Sequence, residues 1–380
     1  MKVVHLGNVP IPPDHPDYGR ISIHPGRWVL NHAQAQQAHA GLDVEVVTIV
    51  HKASCDYVTE VEGVRVHFLR TFHPRRAETR FLLDRWRVAR YTRRLAPDIV
   101  HAHGTEDAYA LAAQQTGLPN VITAQGMMFQ IIPRLARAPR PMRCAARTEA
   151  LALRRARHLI AKSAYVAEGL ARAWPHLTLH QIPNTYQAAL DAPLLPPAAH
   201  QLVFVGSIDE RKGVHLIADA LPQIQAAVPD VVLNIVGNHD KPTGYAAEQL
   251  ERLRAILGER LVLHGRQPAL KLFEILRPCT ALLAPSLEEM FGNQLIEALM
   301  CGLHGIVPEE TALAENARRF GNSTVVPQRD SAALAEAASA ALLSPPAPEL
   351  REAARANIRA FMGPAAVAAA HRNLYLEIVK

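Results

Sequence analysis

The chain of 380 residues alternates short apolar runs with longer helical patterns, in two successive series. Such alternation predicts parallel strands joined by helices that cover both faces of a sheet. Between the two series, residues 188–200 contain three prolines, which can continue neither a helix nor a central strand. The sequence therefore predicts an α/β fold with two doubly wound, Rossmann-like parallel-sheet domains facing across a cleft. The predicted boundaries are residues 1–187, a linker at 188–200, and residues 201–361.

In sheets of this kind, ligands bind outside the carboxyl ends of the strands, so functional residues are expected directly after each strand. One run departs from the helical alternation, because Tyr57–Arg70 alternates around a turn at Glu62-Gly63 and so predicts a hairpin. The remaining strands are predicted at 2–6, 44–50, 98–102, 120–124, 159–162 and 179–182, and then at 201–206, 231–236, 260–263, 280–284, 304–307 and 323–326.

The apolar residues and the cysteines indicate neither a membrane span nor a metal-binding module. No apolar run reaches the roughly 18–20 residues needed to cross a bilayer. The N-terminus, Met1–Leu6, has the pattern of a buried strand and lacks the features of a signal peptide. Cys55, Cys144, Cys279 and Cys301 lie far apart, which argues against a zinc ribbon or a redox dithiol. We therefore expect reduced, mostly buried cysteines in a cytoplasmic protein.

The charge is distributed unevenly along the chain. Residues 1–190 contain 24 Lys and Arg against 14 Asp and Glu, whereas the remainder contains 17 against 21. This asymmetry indicates an anionic partner for the first half alone. Nucleic acid is not the expected partner, because the arginines lack interleaved aromatic residues and no known reading motif is present.

The segment Arg80–Arg94 predicts a basic amphipathic helix with Leu82, Trp86 and Ala89 on one face. Two interpretations remain open for it. The apolar face packs on the sheet and the opposite face is solvated, or the helix makes peripheral contact with an anionic membrane. In the second case the contacting arginines are Arg87, Arg90 and Arg94.

The first candidate binding motif runs from Gly206 to Gly213 and follows a predicted strand. It contains Ser207 and two adjacent cations, Arg211 and Lys212, and its last glycine opens a helix. A guanidinium fork, an ammonium group and loop amides together suit a phosphate group. The alternative is a solvated turn with ordinary surface charges.

The second candidate motif is the loop before a helix that starts near Gly292 or Asn293. Glu289 precedes this helix and Glu297 lies about one turn inside it, so both carboxylates can face one ligand. Carboxylates accept paired hydrogen bonds from sugar hydroxyls, and the amides at a helix start favour a diphosphate. The alternative makes Glu289 a helix-terminal charge and Glu297 a surface residue.

Together these motifs resemble the retaining glycosyltransferases of family four, which have the GT-B fold. The two glutamates match that family's pair in their separation. The resemblance is strong over residues 201–308, weaker in the first half, and extends to the tail 361–380. The residues that carry it are Gly206, Arg211-Lys212-Gly213, Leu233–Gly237, Pro285-Ser286, Glu289, Phe291-Gly292 and Glu297-Ala298, with Asp98–Gly104 and Ile182-Pro183-Asn184 in the first half.

This resemblance implies a role for each matched residue. Glu297 would bind the nucleotide ribose, Glu289 would hold donor sugar hydroxyls, and Arg211 with Lys212 would neutralise the diphosphate. No metal and no cofactor are implied, and a C-terminal helix at 362–380 would return to the first domain. Further donor contacts would come from Gly206 and Ser207, from the base-side pair Gly265 and Arg266, and from the amides of Phe291, Gly292, Asn293 and Gln294.

On the acceptor side the matches to the family are less complete. The family often has histidine where Gln125 stands, arginine where Ser207 stands, and glycine where Thr185 stands. A metal-binding interpretation of His101 and His103 is open, but a packed His101 and a cleft-facing, catalytic His103 are favoured. The other acceptor-side candidates are Gly26, Arg27, Glu106, Asp107, Gly126 and Asn184, with Arg27 alternatively an ordinary surface arginine.

The function predicted from this pattern is transfer of a sugar from a nucleotide-sugar, UDP-sugar favoured, to a saccharide or lipid-linked acceptor with retained configuration. It would serve cell-surface polysaccharide or glycolipid synthesis, in the cytoplasm or on the inner face of the membrane. Two alternatives remain open: a nucleotide-sugar epimerase of the same fold, and a non-catalytic nucleotide-sugar binder. A dehydrogenase is disfavoured because no G-x-G-x-x-G motif follows the first strand.

Overall fold

The computed structural model describes residues 1–21, 27–71, 75–134, 138–239 and 242–380. The chain divides into two compact units. The first unit consists of Met1–Thr185 together with Met362–Lys380, and the second consists of Tyr186–Phe361. Each unit is built on its own parallel or mainly parallel sheet with helices, which confirms the predicted pair of doubly wound α/β domains.

The elements follow the alternation seen in the sequence. The first unit contains β1 Lys2–Leu6, α1 Trp28–Ala40, β2 Asp43–His51, β3 Tyr57–Val61, β4 Val64–Thr71, α2 Leu82–Arg94, β5 Ile99–His103, α3 Ala108–Thr116, β6 Asn120–Thr123, α4 Met128–Ile131, α5 Arg140–Arg155, β7 His158–Ala161, α6 Ala164–Ala173 and β8 Thr178–Gln181. The second unit contains β9 Gln201–Val205, α7 Val214–Ala227, β10 Val232–Val236, α8 Tyr245–Leu257, β11 Leu261–Gly265, α9 Ala269–Leu276, β12 Ala281–Leu283, α10 Asn293–Met300, β13 His304–Pro308, α11 Ala312–Phe320, β14 Ser323–Val326, α12 Ser331–Leu343 and α13 Pro348–Met362, and α14 Pro364–Val379 belongs to the first unit.

The first sheet has the strand order β3-β4-β2-β1-β5-β6-β7-β8. Only β3 is antiparallel, and it pairs with β4 as the predicted hairpin. Strand β1 pairs with β2 on one side and with β5 on the other. The direction of winding therefore reverses between β1 and β5, and in open α/β sheets a ligand crevice forms at such a reversal.

The second sheet is entirely parallel, with the order β11-β10-β9-β12-β13-β14. Its winding reverses between β9 and β12, which pair directly through Ala281 with Leu202 and Leu282 with Val203. These are the two strands that precede the motifs singled out in the sequence. The topology therefore places both motifs at one carboxyl edge, where a ligand is expected.

The C-terminal helix α14 completes the core of the first unit. Val367, Leu374 and Tyr375 are buried with β-strand residues such as Val3 and Ile99. Helix α14 packs against α1, so two segments more than 300 residues apart in sequence cover the same face of the sheet. Burying apolar surface contributes about 25 cal/mol of stability per Å², so this packing of α14 stabilises the first unit.

The stretch 188–200, predicted as a linker, is instead anchored to the second unit. Apart from a short 3₁₀ turn at Ala188–Asp191 it has no regular structure, so its backbone carbonyls need other donors. Two arginines of α13 supply them. Arg355 donates to the carbonyl oxygens of Leu190 and Ala192 at 3.2 and 2.8 Å, and Arg351 donates to that of Leu195 at 2.8 Å.

Helix α2 exposes side chains that the sequence pattern assigns to its inward face. Leu82 and Trp86 are 51% and 56% exposed, whereas Ala89 is buried as expected. The inward face consists of Asp84, Val88, Ala89 and Thr92, because the helix packs on α3 rather than flat on the sheet. Within the described part of the chain, no helix combines the length and the apolar character that a bilayer span requires.

Candidate functional site

The loops after β9 and β12 lie in direct contact at the carboxyl edge of the second sheet, here called the second edge. Gly213 has a φ of +72°, and a Cβ placed there would lie 2.1 Å from the carbonyl oxygen of Pro285. Only glycine allows this approach. The amide of Leu287 also donates to the carbonyl oxygen of Arg211 at 2.7 Å. The sequence thus fixes the two motifs against each other.

An ion pair joins these two loops. The Nζ atom of Lys212 lies 2.5 Å from Oε2 of Glu289, and Nε2 of Gln294 donates to the same oxygen at 3.1 Å. Burial is the largest single effect and would raise the pKa of Glu289, but the charge and hydrogen bond of Lys212, the charge of Arg211 and the hydrogen bond from Gln294 together lower it to about 2. Arg211 donates to the carbonyl oxygen of Glu288 at 3.1 Å. Two cations and one ionised carboxylate therefore meet where the winding reverses.

Helix α10 begins at this point with Asn293. The preceding Gly292 has a φ of +86°, and a Cβ there would lie 2.2 Å from Cδ2 of Leu313. As the N-cap residue, Gly292 provides no side-chain acceptor for the first amides of the helix. The start of this helix lies beside Glu289, because Gln294 of its first turn donates to that carboxylate, and the start of a helix favours an anion.

The second glutamate of the pair, Glu297, has a different environment. It lies within α10, and burial raises its pKa to about 7. A carboxyl group deprived of water in this way gains from accepting hydrogen bonds, and ligand hydroxyls can supply them. Glu289, on the loop before α10, and Glu297, within the helix, thus offer two carboxyl groups with opposite pKa shifts.

Side chains also converge at the carboxyl edge of the first sheet, here called the first edge. Gln125 follows β6, and its Oε1 atom accepts a hydrogen bond from Nζ of Lys162 at 2.7 Å. Lys162 follows β7 directly and is only 8% exposed. Since an ammonium group can only donate, it fixes the orientation of the Gln125 amide. Within the described residues, the buried Nε2 atom of Gln125 has no hydrogen-bond partner.

Three carboxyl groups at the first edge have raised pKa values. Burial raises the pKa of Glu106, and burial together with the charge of Glu106 raises that of Asp107 to about 8. Burial also raises the pKa of Glu149, on α5, to about 7. Glu149 accepts hydrogen bonds from the amides of Met128 and Phe129, both at 3.0 Å. This edge therefore presents three carboxyl groups with raised pKa values beside one buried ammonium.

The comparisons with known proteins match both units. Residues 26–185 match the model of a glycosyl transferase 4-like domain, and residues 199–344 match that of the glycosyl transferases group 1. The chain belongs to the group 1 glycosyltransferases. The two matched ranges correspond to the two units, and the described edges lie within them.

Individual relatives are distant. A phosphatidyl-myo-inositol mannosyltransferase of Mycobacterium leprae is 32% identical over 46% of this chain and 48% of its own. A 2-deoxystreptamine N-acetyl-D-glucosaminyltransferase of Streptomyces fradiae is 26% identical over 65% of this chain and 63% of its own. The chain spans about half the length of the first of these relatives.

Solved structures of the GT-B fold match nearly the whole chain. Sucrose-phosphate synthase from Thermosynechococcus elongatus matches with a TM-score of 0.79 at 21% identity. The match covers 99% of this chain and 98% of the synthase chain. HepE from Anabaena, solved in complex with UDP and glucose, matches with a TM-score of 0.69 at 16% identity. This match covers 98% of this chain and 99% of the HepE chain. At these identities the likeness establishes the GT-B fold of this group 1 glycosyltransferase.

The structure brings most predicted donor residues of this glycosyltransferase together. Gly206 lies so close to β10 that a Cβ on Gly237 would be 1.8 Å from its carbonyl oxygen. Ser207 donates to the carboxylate of Asp209, which in turn accepts from the amide of Lys212 at 3.0 Å. Of the predicted base-side pair, Gly265 ends β11 and Arg266 follows it, two strands farther along the same edge than β9.

His103, expected to face the ligand, is buried, and this expectation is wrong. Its Nε2 atom lies 2.8 Å from Nδ1 of His5, and its ring stacks on His101 at 4.2 Å. The physical reason is the two-residue period of β5, which turns both histidines to the face covered by α1 and α14. His101 is packed as expected, with Tyr375 and Thr123 at 2.6 Å from its two ring nitrogens.

The histidines form part of a larger buried group. The ligand nitrogens of His5, His101 and His103 lie within 4.8 Å of one another, which is compatible with the metal-binding alternative. However, both ring nitrogens of His5 and of His101 already have hydrogen-bonding neighbours, with Gln36 at 2.9 Å from His5. The arrangement is therefore that of a hydrogen-bonded core.

The remaining acceptor-side candidates are dispersed. Gly26 lies outside the described residues. Arg27 pairs with Glu62 of the hairpin turn at 2.5 Å, which agrees with an ordinary surface arginine. Asn184 is buried and lies 3.4 Å from Nε2 of His32. Gly126 lies beside Glu106, whose Oε1 would be 3.4 Å from a Cβ at this position.

Lys162 and Glu149 lie at the first edge but are not among the residues predicted from the sequence. For Lys162 a signal was present, because it ends a predicted strand and precedes the N-cap Ser163 of α6. For Glu149 no local signal exists, since it lies within a helix and meets its partners only in the folded chain.

Proposed function

We propose that this protein transfers a sugar from a nucleotide-sugar donor to a hydroxylated acceptor, with the donor bound at the second edge. The observation that carries this proposal is the Lys212–Glu289 ion pair at the reversal between β9 and β12, with Glu297 on the adjoining helix. This arrangement offers cations for a diphosphate and carboxyl oxygens for sugar hydroxyls. UDP is the favoured nucleotide, since two solved neighbours were captured with UDP or a UDP-sugar.

The ion pair suggests how the leaving group is stabilised. Lys212 is held within 2.5 Å of Glu289, so its charge is already positioned and mostly buried. A diphosphate would share Lys212 and Arg211 with the protein, and the start of α10 would add its dipole. Glu289, relieved of part of its contact with Lys212, would accept from hydroxyls of the donor sugar. Leaving-group stabilisation of this kind is a major catalytic contribution.

No metal is required in this proposal, because cationic side chains and helix amides neutralise the diphosphate. Retention of configuration is proposed from the family resemblance. It would follow if the acceptor hydroxyl attacks from the side on which the diphosphate leaves. NMR of the anomeric proton in the first product formed would establish retention or inversion.

The acceptor is proposed to bind at the first edge, where Gln125, Glu106 and Asp107 present hydrogen-bonding groups. The sequence favours a saccharide or lipid-linked acceptor of cell-surface polysaccharide or glycolipid synthesis. The mycobacterial relative is a mannosyltransferase whose name states a phosphatidyl-myo-inositol acceptor. A lipid-linked acceptor is thus within the range of the family.

Peripheral membrane contact through Arg80–Arg94 is also proposed. Leu82, Leu83 and Trp86 are each about half exposed, and Arg90 lies 5.8 Å from the centre of the Trp86 ring. Exposed apolar side chains next to cations suit the interface of an anionic membrane. We expect Arg87 to contribute less than Arg90 and Arg94 to the attraction to an anionic membrane, because Arg87 already pairs with Asp56 at 2.5 Å.

Sedimentation with anionic vesicles tests this contact. Trp86→Ser and the double variant Arg90→Gln, Arg94→Gln should release the protein. Leu343→Ser removes an apolar side chain of the second unit that is even more exposed, at 63%, and should leave sedimentation unchanged. Unchanged sedimentation of the α2 variants would refute membrane contact through this helix.

A non-catalytic nucleotide-sugar binder is the second candidate. Gln125 favours it, because an amide cannot act as acid or base where related enzymes often have histidine. The two candidates differ in turnover, which the following experiment measures.

Calorimetry with UDP-, GDP- and ADP-sugars, together with nucleotide release in acceptor mixtures, tests the proposal. We expect one nucleotide-sugar to bind and to be turned over. Glu297→Gln should weaken binding by roughly tenfold or more, because a hydrogen bond to a charged or buried group contributes about 1.5–3 kcal/mol. Glu251→Gln, an exposed glutamate on α8, is the control. Equal binding by both variants would remove the donor assignment, and binding without turnover would favour the non-catalytic candidate.

A further inference from the structure

A cavity of about 760 Å³ lies within the first unit, beyond the carboxyl ends of β1 and β2 and beside the start of α3. Its volume is in the range of small-molecule sites. Val9, Ile49 and Phe81 contribute apolar wall, and Asn8 and Asp107 contribute polar groups. This combination suits a polyol or sugar ring, which has apolar faces and a hydroxylated edge. Among the described residues, those that line the cavity all belong to the first unit.

One cation of the lining is held rigidly. The Nε atom of Arg76 donates to Oδ2 of Asp84 at 2.6 Å, and Asp84 is only 4% exposed. Thr71 donates its hydroxyl to the other oxygen of Asp84. The guanidinium carbon also lies 5.4 Å from the centre of the Phe81 ring. The plane of this guanidinium is therefore fixed before any ligand arrives, unlike that of a solvated surface arginine.

Two further cations, Arg20 and Lys52, line the same cavity from other segments. Lys52 adopts a φ of +65°, which is uncommon for a residue with a side chain, and its amide donates to the carbonyl oxygen of Thr71 at 2.6 Å. The pKa of His51, also in the lining, is lowered first by burial and then by the charges of Arg76 and Lys52. Arg76 and Lys52 therefore both act on the imidazole of His51, within the lining of the cavity.

The acidic residues of the lining do not neutralise these three cations. Asp17 is occupied by Ser54, whose amide and hydroxyl donate to it at 2.8 and 2.9 Å. Asp107 has its pKa raised to about 8 by burial and by Glu106, so it is largely uncharged near neutral pH. Counting Asp84, the ion-pair partner of Arg76, three cations stand against the two carboxylates of Asp17 and Asp84, so the cavity keeps a net positive charge.

We propose that this cavity binds a hydroxylated acceptor through a phosphate group, which Arg76, Arg20 and Lys52 hold from three sides. A tetrahedral oxyanion can use donors that arrive from different directions, and a planar guanidinium binds two of its oxygens at once. Asn8 and Asp107 then face the hydroxyl groups of the ring. The role as acceptor rests on the proposed function, whereas the binding of the phosphate ester does not.

The first test is calorimetry of the full chain with myo-inositol 1-phosphate and glucose 6-phosphate, each beside its unphosphorylated parent, without donor. The phosphate esters should bind at least roughly tenfold more tightly than the parents, since charge-assisted hydrogen bonds contribute about 1.5–3 kcal/mol. Inorganic phosphate should compete. Lys52→Gln and Arg20→Gln should each weaken ester binding, and Arg76→Lys should weaken it while retaining the charge. Arg172→Gln, an exposed arginine at the end of α6, is the control.

Vesicles identify the source of the phosphate. Phosphatidylinositol vesicles should retain the protein more than phosphatidylcholine vesicles, in a manner sensitive to Lys52→Gln, if a lipid head group is the ligand. If only the soluble esters bind, the ligand is a free phosphorylated polyol. Equal binding of esters and parents, or equal losses in Lys52→Gln and Arg172→Gln, would overturn the proposal. Donor binding at Glu297 is measured separately, so a failure of the proposed function is distinguishable from a failure of this site.

Discussion

The two carboxyl edges share one topology and differ in their electrostatics. In each sheet the winding reverses at the strand that begins the unit, between β1 and β5 in the first and between β9 and β12 in the second. At the second edge a cation holds Glu289 ionised, with its pKa lowered to about 2. At the first edge, burial raises the pKa of Asp107 to about 8 and that of Glu149 to about 7.

This difference shows that the same scaffold can favour either charge state of a carboxyl group. Burial disfavours the charged form at both edges, and only a cation within hydrogen-bond distance reverses that preference. The second edge therefore suits a charged leaving group. The first edge suits the hydroxyl groups of an acceptor, apart from the positive cavity lined by Arg76. The following predictions alter one edge and leave the other unchanged.

The largest effect is expected for Lys212→Ala. Sugar transfer should fall by about 10²–10³-fold, because the diphosphate loses a positioned cation. Steady-state turnover of the cognate nucleotide-sugar measures this. Lys271 forms an exposed ion pair with Glu274 at 2.8 Å, so Lys271→Ala is the matched control and should leave turnover unchanged. Unaltered turnover in Lys212→Ala would contradict the assignment of the charged leaving group to the second edge.

Gly292→Ala should destabilise the second unit by about 2–4 kcal/mol, because backbone strain adds to overpacking. The new Cβ would meet Leu313 at 2.2 Å, in a residue with a φ of +86°. Gly117 has a comparable φ of +73° and open space around it, so Gly117→Ala should cost only about 1 kcal/mol in the first unit. Denaturant unfolding measures both. Equal costs would show that the start of α10 is not closely packed.

The pH dependence of stability should have opposite signs at the two edges. Glu149 has a raised pKa in the folded state, so its contribution is present below pH 4.5 and is lost as pH rises toward 7. Glu289 has a lowered pKa, so its contribution is present above pH 4.5 and is lost as pH falls toward 2. Each slope is about 1.4 kcal/mol per pH unit within its window.

Unfolding of wild type, Glu149→Gln and Glu289→Gln across these pH windows measures both slopes. All three tryptophans, Trp28, Trp86 and Trp174, belong to the first unit, so their fluorescence follows that unit alone. Circular dichroism follows both units. Each contribution is the difference between wild type and the matching Gln variant, and two differences with slopes of the same sign would contradict the assigned charge states.

A smaller effect is expected at the first edge for Lys162→Gln. Transfer should fall by roughly tenfold, because the Gln125 amide loses the charged donor that orients it. Nucleotide-sugar affinity should not change, since Lys162 belongs to the other unit. Initial rates and calorimetry separate the two effects. A parallel loss of donor affinity would show that Lys162 acts through the donor rather than through Gln125.

No effect is expected from removing divalent ions with a chelator. Lys212, Arg211 and the start of α10 supply the positive charge, so turnover should persist unchanged. Loss of turnover that magnesium or manganese restores would show that the second edge needs a metal.

The sequence was sufficient to predict the elements and the second edge, because those signals are local. Strand-loop-helix patterns placed Arg211, Lys212, Glu289 and Glu297, and topology then brought them together. The hairpin at Tyr57–Arg70 was also readable from alternation alone.

Features that depend on contacts between distant segments of the chain could not be predicted from the sequence. His103 seemed exposed at a strand end, but α14 arrives from the end of the chain and covers that face. The Gln125–Lys162 bond joins the ends of two different strands, and Asp56 pairs with Arg87 on a separate helix. Residues 188–200 have linker composition, yet Arg351 and Arg355 bind their carbonyls from 156 and 163 residues away.

The most direct test of the donor assignment is a structure of the full chain with bound UDP-glucose or the nucleotide-sugar selected by calorimetry. We expect the ribose hydroxyls at the carboxylate of Glu297 and the diphosphate between Lys212 and the start of α10. The distance from Nζ of Lys212 to Oε2 of Glu289 should exceed its present 2.5 Å. A nucleotide bound away from residues 206–213 and 284–297, with this ion pair unchanged, would contradict the account.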